Sequence, residues 1–210
     1  MIKVFDPSFP LLDMSSPPLA TTSQSSTGLK IRILSSLEEL ETLEASWKAF
    51  TEEHPSPFST FDWNRACIRH FQEFEDSLVL FTMVDGSRIQ CIAPLQRSGQ
   101  TLDFLGSSLS DFQDIIALDE ETARVGLRAL VEWSLEQSLE LSLQKVSEES
   151  WIYPELAALA EEGDACVDQM PHGPCPWLTL QGDDLQSVIS QFGSRTRKGI
   201  RSSLRKLEQA

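Results

Sequence analysis

Apolar and polar residues alternate along the chain with two different periods, and each period predicts a strand or a helix. Residues 29–34 alternate as on a half-buried strand. Apolar residues then recur at helical spacing over 37–47 and, after Pro55 and Pro57, over 62–74. The first helix has Ser35 or Ser36 as its cap and acidic residues in its first turn, where the helix dipole favours them.

Short strands and further helices are predicted after these two helices. Residues 78–84 are almost continuously apolar, Asp85-Gly86 is a strong hairpin turn, and residues 88–95 alternate. An amphipathic helix is predicted over 120–137. The other predicted elements are strands over 101–105, 114–118, 139–143, 166–170 and 177–180 and helices over 154–161 and from 182. This order indicates an α+β fold with a central, mostly antiparallel sheet flanked by helices.

Composition divides the chain into three parts. Residues 15–28 carry no charge, two prolines and eight Ser or Thr residues, so they offer too little apolar surface to offset the entropy lost on ordering. We therefore expect residues 1–28 to form a disordered N-terminal arm and residues 29–192 to form one folded domain. Residues 193–210 are predicted to form a basic amphipathic helix.

The net charge is −15, and it is distributed unevenly. Six of the seventeen basic residues lie between positions 195 and 206, which leaves eleven basic and thirty-one acidic residues in the rest of the chain, apart from Glu208. An acidic body opposes binding to a polyanion, so no nucleic-acid partner is expected. Any phosphate site is expected at the basic C-terminal segment.

Several classes of protein are excluded by what the sequence lacks. No stretch reaches the roughly 18 consecutive apolar residues that a membrane span needs, and the first twelve residues lack the apolar region of a secretory signal. We therefore expect a cytoplasmic protein without a membrane span. The four cysteines form no C-x-x-C pair and the three histidines lack metal-ligand spacing, so no metal site is expected.

Five short segments allow a comparison with a known family. They are residues 55–63 (PSPFSTFDW), 91–95 (CIAPL), 104–114 (FLGSSLSDFQD), 173–180 (GPCPWLTL) and 195–201 (RTRKGIR). In this order they resemble the FemAB-like, CelD-type members of the GNAT N-acetyltransferase superfamily. The resemblance implies a GNAT-like acyl-CoA N-acyltransferase fold and transfer of an acyl group from acetyl-CoA or another acyl-CoA to an amine. A polysaccharide, a sugar nucleotide and a peptidoglycan-type molecule are the acceptors that the resemblance leaves open.

The resemblance covers the first half of such proteins, in which two GNAT-like domains share a chain. It implies that the domain following the basic helix holds the acyl-CoA, so a second GNAT-like domain, in cis or in trans, is the expected partner. Acyl-CoA is not expected to bind this chain alone. The sequence before the 120–137 helix agrees, because it has no glycine and contains Asp119, Glu120 and Glu121, which would repel a pyrophosphate.

A polar cluster follows the strand at 101–105 and is the best candidate for a substrate cleft. It consists of Ser110, Asp111, Gln113 and Asp114, at a position from which loop side chains can project into a cleft. The alternative is that Ser110 and Asp111 bond their own backbone in a turn and that Gln113 and Asp114 are ordinary polar strand residues. Trp63 joins these candidates because the resemblance implies that its motif lies near the cleft. No catalytic residue is assigned.

The basic helix offers a second candidate site. Arg195, Arg197, Lys198 and Arg201 are candidate phosphate-binding residues, because arginine can bind phosphate oxygens bidentately. The alternative is a solvated face opposite an acidic body.

Ile200, Leu204 and Leu207 form an apolar stripe on this helix that requires a partner surface.

The family resemblance and the basic helix together lead us to expect one of two functions. The first is the N-terminal GNAT-like domain of an N-acyltransferase, incomplete as it stands. The alternative is a non-catalytic interaction module that docks a partner through the basic helix.

Overall fold

The structure is a computed structural model of the 210-residue chain. It describes residues 1–6, 22–24, 29–52, 56–70, 77–86, 88–170, 179, 181–182, 184–207 and 209, with residues 22–24 and 207 described by their backbone only. The chain divides into two compact units, Met1–His172 and Gly173–Ala210, and each is described by itself.

The first unit is built on one sheet, which has nine strands within the described residues. The strands are β1 (Ile2–Phe5), β2 (Thr22–Gln24), β3 (Lys30–Leu34), β4 (Leu78–Asp85), β5 (Arg88–Ser98), β6 (Thr101–Phe104), β7 (Ile116–Ala117), β8 (Glu140–Leu143) and β9 (Cys166–Gln169). Their order in the sheet is β2-β3-β4-β5-β6-β8-β1-β9, and β7 pairs with β5. Every pairing is antiparallel except that of β6 with β8.

Helices cover both faces of this sheet. Those of the first unit are α1 (Leu37–Glu41), α2 (Glu44–Thr51), α3 (Phe61–His70), α4 (Glu120–Glu136) and α5 (Ile152–Glu162), with a 3₁₀ turn over Pro57–Ser59. The expected α+β fold, with a mostly antiparallel sheet flanked by helices, is confirmed. None of the helices within the described residues is both long enough and apolar enough to cross a membrane.

Each face of the sheet has its own buried core, and β4 contributes to both. Val79 and Phe81 pack with residues of α4 and α5, whereas Leu78 and Leu80 pack with residues of α1, α2 and α3. Successive side chains of a strand point to opposite faces, so a strand covered on both sides is apolar at nearly every position. This double burial explains why residues 78–84 form a continuous apolar run rather than an alternating one.

The expected disordered arm over residues 1–28 is wrong for residues 2–5, which form a strand inside the sheet. β1 lies between β8 and β9, and Ile2 pairs with Leu143 on one side and Gln169 on the other. The side chains of Ile2 and Val4 are buried, so the strand has a clear physical reason to order. Residues 22–24 also pair, as β2 with β3. The rest of the expected arm lies outside the described residues.

The other predicted elements form with shifted ends. The predicted helix over 37–47 is two helices with a turn at residues 42 and 43, where the Thr42 hydroxyl donates to the Glu39 carbonyl at 2.6 Å. Ser36 caps α1 by accepting the Glu39 N–H at 3.2 Å. The strand predicted over 114–118 contracts to β7, so Asp114 precedes it. The strand predicted over 177–180 lies outside the described residues.

The second unit contributes two helices. Helix α6 (Leu185–Ser190) is capped by Asp184, whose Oδ1 accepts the Ser187 N–H at 2.8 Å. Helix α7 (Ser194–Leu207) is the basic helix predicted from the sequence. Its described side chains include no acidic residue.

Gly126 of α4 packs directly against Cys91 of β5. A Cβ at this position would lie 2.5 Å from Cys91 Sγ, so Gly126→Ala overpacks the interface although alanine is the better helix former. We expect the variant to lose about 1–3 kcal/mol of unfolding free energy in urea titrations. Gly199→Ala on α7 is the control, because nothing lies within 4 Å of the added methyl. Equal stability of Gly126→Ala and wild type would contradict the close packing of α4 on β5.

Candidate functional site

A cavity of about 680 Å³ lies in the first unit, where the segment before β7 meets the starts of α4 and α5. Its described lining residues include five acidic side chains and no lysine or arginine. The acidic residues are Asp114, Asp119, Glu120, Glu148 and Glu149. The cavity therefore carries a negative potential that favours a cationic ligand.

Asp114 is the most enclosed of these five acids: it is half-buried, whereas the other four are exposed. Its Oδ1 accepts the Ile115 N–H at 2.8 Å, and the Ser150 hydroxyl donates to the same carboxyl group. Burial raises the pKa of Asp114 to about 6, and these two hydrogen bonds limit the rise. At neutral pH the group is ionised, yet it is a stronger base than an ordinary aspartate.

Ser150 connects Asp114 to the start of α5. The residue is buried, and its Oγ accepts the Ile152 N–H at 3.2 Å while its hydroxyl donates to Asp114. Ser150 is not among the residues predicted from the sequence, because the helix is predicted to begin at residue 154 and in fact begins at Ile152. Ser and Thr often accept a backbone N–H two residues on, so a serine two positions before the true helix start is the signal that could have identified Ser150.

Ser110 and Gln113 brace the loop that leads to Asp114. Ser110 is fully buried and its hydroxyl donates to the Gly106 carbonyl at 3.0 Å. The Gln113 side-chain amide donates to the Leu105 carbonyl at 2.8 Å, while its buried Oε1 has no hydrogen-bond partner within the described part of the chain. Asp111 is exposed. Of the four polar candidates, Asp114 alone is among the described residues that line the cavity.

Trp63 is not among the described residues that line the cavity. It lies in α3, half-buried, with its ring edge-on to Phe58 at 5.1 Å between centroids. Its motif contributes Ser56 and Ser59 to the cavity wall instead. The structure thus gives Trp63 a packing role against the core around α1, α2 and α3.

The candidate phosphate-binding residues lie on α7, in the second unit. Arg195, Lys198 and Arg201 are exposed and Arg197 is half-buried. Arg197 Nη1 donates to the Ser190 carbonyl at 3.4 Å, which joins the two helices of this unit. Arg195, Lys198 and Arg201 are thus accessible to solvent, whereas Arg197 contacts the neighbouring helix.

The start of α4 does not fit the pyrophosphate of CoA. Asp119 Oδ1 accepts the Thr122 N–H at 2.7 Å, so a carboxylate already binds an amide that would otherwise face a phosphate. Hydrogen bonds from the Thr122 side chain and backbone lower the pKa of Asp119 and keep it ionised. Glu120, exposed beside it, adds a second negative charge.

Metal-ligating residues and thiols are the other groups that could carry chemistry. No three His, Cys, Asp or Glu side chains among them are grouped as metal ligands would be. Burial raises the pKa of the Cys67 thiol, and burial together with the nearby charge of Asp114 raises that of Cys91, so neither is a ready nucleophile. Cys175 lies outside the described residues.

Comparison with known proteins does not identify this site. No protein-family model matches the chain. A search of curated proteins likewise found no match. The family resemblance of the five short segments therefore stays a prediction, and the candidate site is defined by its own geometry.

The raised pKa of Asp114 has a consequence for stability. The Asp114 carboxyl group holds its proton more tightly in the folded protein than in the unfolded chain. The contribution of Asp114 to stability therefore falls as pH rises from about 4 through about 6. Asp114→Asn removes this titration and can still accept the Ile115 N–H. We expect the variant to be more stable than wild type above pH 6, by about 1–3 kcal/mol in urea titrations, and the difference to shrink toward pH 4.

Asp119→Asn is the matched comparison, because folding shifts the pKa of Asp119 in the opposite direction. The pKa of Asp119 is lowered in the folded protein, so its contribution to stability is present at neutral pH and is lost in acid. This variant should be less stable than wild type at neutral pH and equal to it at low pH. The same pH dependence in both variants would contradict the enclosure of Asp114.

Proposed function

We propose that this chain is the N-terminal GNAT-like domain of a FemAB/CelD-type N-acyltransferase and that its acidic cavity binds the amine acceptor. The single observation that carries the proposal is the half-buried Asp114, with a pKa of about 6, in a cavity with four further acids. An N-acyltransferase must bind an ammonium group and remove a proton from it, because only the neutral amine is a nucleophile. The order of strands and helices supports the family resemblance.

The residues of the cavity divide this work between them. The exposed carboxylates of Glu148 and Glu149 attract the ammonium group electrostatically. The Asp114 carboxylate accepts one proton from the ammonium nitrogen, which leaves a neutral amine with a free electron pair. The Ile115 N–H and the Ser150 hydroxyl hold the carboxylate while it exchanges the proton.

In this proposal the acyl donor binds outside the cavity. The acids at the start of α4 do not fit a CoA pyrophosphate, and the family resemblance implies a second GNAT-like domain, in cis or in trans, for acetyl-CoA or another acyl-CoA. Arg195, Arg197, Lys198 and Arg201 are the residues available to contact a phosphate of the donor or of a nucleotide-linked acceptor. We place the reaction in the cytoplasm as part of this proposal.

Matched pairs of ligands test the acceptor site. Glucosamine and Nα-acetyl-lysine present an amine of the sugar and peptidoglycan types, and their N-acetylated forms lack the ammonium group. We expect both amines to shift the Asp114 carboxyl resonance in ¹³C NMR titrations of the full chain, and the acetylated forms to leave it unchanged.

Charge-matched variants locate the binding. Glu148→Gln with Glu149→Gln should weaken amine binding roughly tenfold, because two of the attracting charges are removed. Glu132→Gln with Glu136→Gln changes the net charge equally on an exposed part of α4 outside the cavity and should leave binding intact. Equal weakening by both pairs, or equal binding of amines and amides, would contradict an acceptor site in this cavity.

A non-catalytic interaction module is the second candidate function, and α7 is the observation that favours it. Six basic residues lie along this 14-residue helix. Ile200 and Leu204 lie one turn apart beside them. A helix with a basic stripe and an apolar stripe matches a partner protein that has an acidic rim around an apolar groove.

Affinity capture with the full chain tests this second function. Ile200→Ser with Leu204→Ser should lose a bound protein that wild type retains, because the apolar stripe would no longer bury surface on the partner. Ser203→Ala, an exposed position of the same helix, is the control and should retain the partner. Unchanged recovery with the double variant would contradict docking through α7.

A further inference from the structure

Lys145 lies two residues after the end of β8 and has an unusual backbone conformation. Its φ is 54°, in the left-handed region that residues other than glycine rarely adopt. Among the described residues, Ser138 is the other non-glycine residue with a positive φ. Such a conformation persists only where surrounding contacts fix it, and it is often found near functional sites. The contacts of Lys145 are therefore informative.

Lys145 binds the loop before Asp114 at two points. Its ammonium group donates to the carbonyl oxygen of Ser110. Its own carbonyl oxygen accepts the N–H of Gln113 at 3.2 Å. Side chain and backbone of one residue thus hold both ends of the stretch over 110–113.

The stretch that Lys145 holds has no regular secondary structure to fix it otherwise. Residues 111–114 belong to no helix or strand, and Asp114 immediately follows Gln113. The Ser110 hydroxyl and the Gln113 amide bond only to residues 105 and 106 or to each other, within the same loop. Lys145 instead connects the loop to the end of β8, which Gln144 ties to Asp103 of β6 through a 2.7 Å hydrogen bond.

We propose that Lys145 is a positioning residue of the acceptor site, whose ammonium and carbonyl groups clamp the loop so that Asp114 is held enclosed against Ser150. This inference rests on the proposed function for the role of Asp114. Lys145 acts through the loop and not on the amine, since it is not among the described residues that line the cavity.

The test measures the pKa of Asp114 by ¹³C NMR of the full chain labelled at aspartate carboxyl groups. Its resonance is assigned by its absence in Asp114→Asn. We expect Lys145→Met to increase the acid dissociation constant of Asp114 about tenfold, because a released loop lets water reach the carboxyl group. Loss of the lysine charge alone would change the pKa in the opposite direction, so the direction separates positioning from direct electrostatics.

Two further variants at position 145 separate the ammonium from the backbone. Lys145→Arg keeps a cationic donor and should retain the wild-type pKa of Asp114. Lys145→Gly removes the ammonium group but adopts the left-handed conformation without strain. It should lower the pKa of Asp114 as Lys145→Met does, and it provides a second test if Lys145→Met does not fold. Ser138→Gly changes the left-handed residue before β8 and should leave Asp114 unchanged.

An unchanged or raised pKa of Asp114 in folded Lys145→Met or Lys145→Gly would overturn the inference. Folding is checked by the ¹H–¹⁵N spectrum of each variant. Because the readout needs no amine, it is independent of the acceptor experiment. Failure of wild type to bind either amine would overturn the proposed function, whereas the Asp114 titration tests the clamp itself.

Discussion

The parallel pairing of β6 with β8 brings together the two loops that form the candidate site. Leu102 pairs with Leu141, and both strands run in the same direction, so the segments that follow them leave the sheet at the same edge. Parallel neighbours require a crossover, and here α4 provides it. The loop that carries Asp114 and the loop that carries Lys145 and Ser150 therefore lie side by side.

Half-buried polar groups connect the strands at this edge. Burial raises the pKa of Asp103, at the end of β6, while hydrogen bonds from Ser107, Phe104 and Gln144 oppose the rise. Its carboxyl group accepts from the Ser107 hydroxyl at 2.9 Å and from the Gln144 amide at 2.7 Å. Ionised groups removed from water reduce stability unless they are well bonded, and such arrangements are common where a site needs a poised carboxyl group.

The α+β fold could be predicted from the sequence because most elements have a strong local pattern. The continuous apolar run of β4 and the amphipathic α4 needed no knowledge of their partners. β1 was missed because four residues carry little periodicity, and its order comes from pairing with strands more than 130 positions away. The composition of residues 15–28 predicts disorder, and it does not indicate that the first few residues pair with a distant strand.

The candidate site was only partly predictable, for a related reason. Asp114 is predicted only as a polar residue after a strand, whereas its hydrogen bond with Ser150 joins two residues that are distant in sequence. Lys145 carries no sequence signal, since its importance lies in a backbone angle and two tertiary contacts. Ser110 and Gln113 are predicted as cleft residues, and in the structure both brace the loop. For Ser110 this agrees with the turn-forming alternative, whereas Gln113 lies outside the strand in which the other alternative placed it.

The interior place of β1 also sets the order in which the sheet can be completed. β8 and β9 do not pair with each other, so the gap between them closes only when the early strand returns to it. Ribosomes add roughly 5–20 residues per second, so β1 waits on the order of ten seconds for its first partner to emerge. Closing so long a loop costs conformational entropy. We therefore expect the pairing of β1 with β8 and β9 to be a slow, late step of folding. Until then the edges of β8 and β9 are open to strands of other chains, and nascent copies of this protein are most exposed to mispairing at that point.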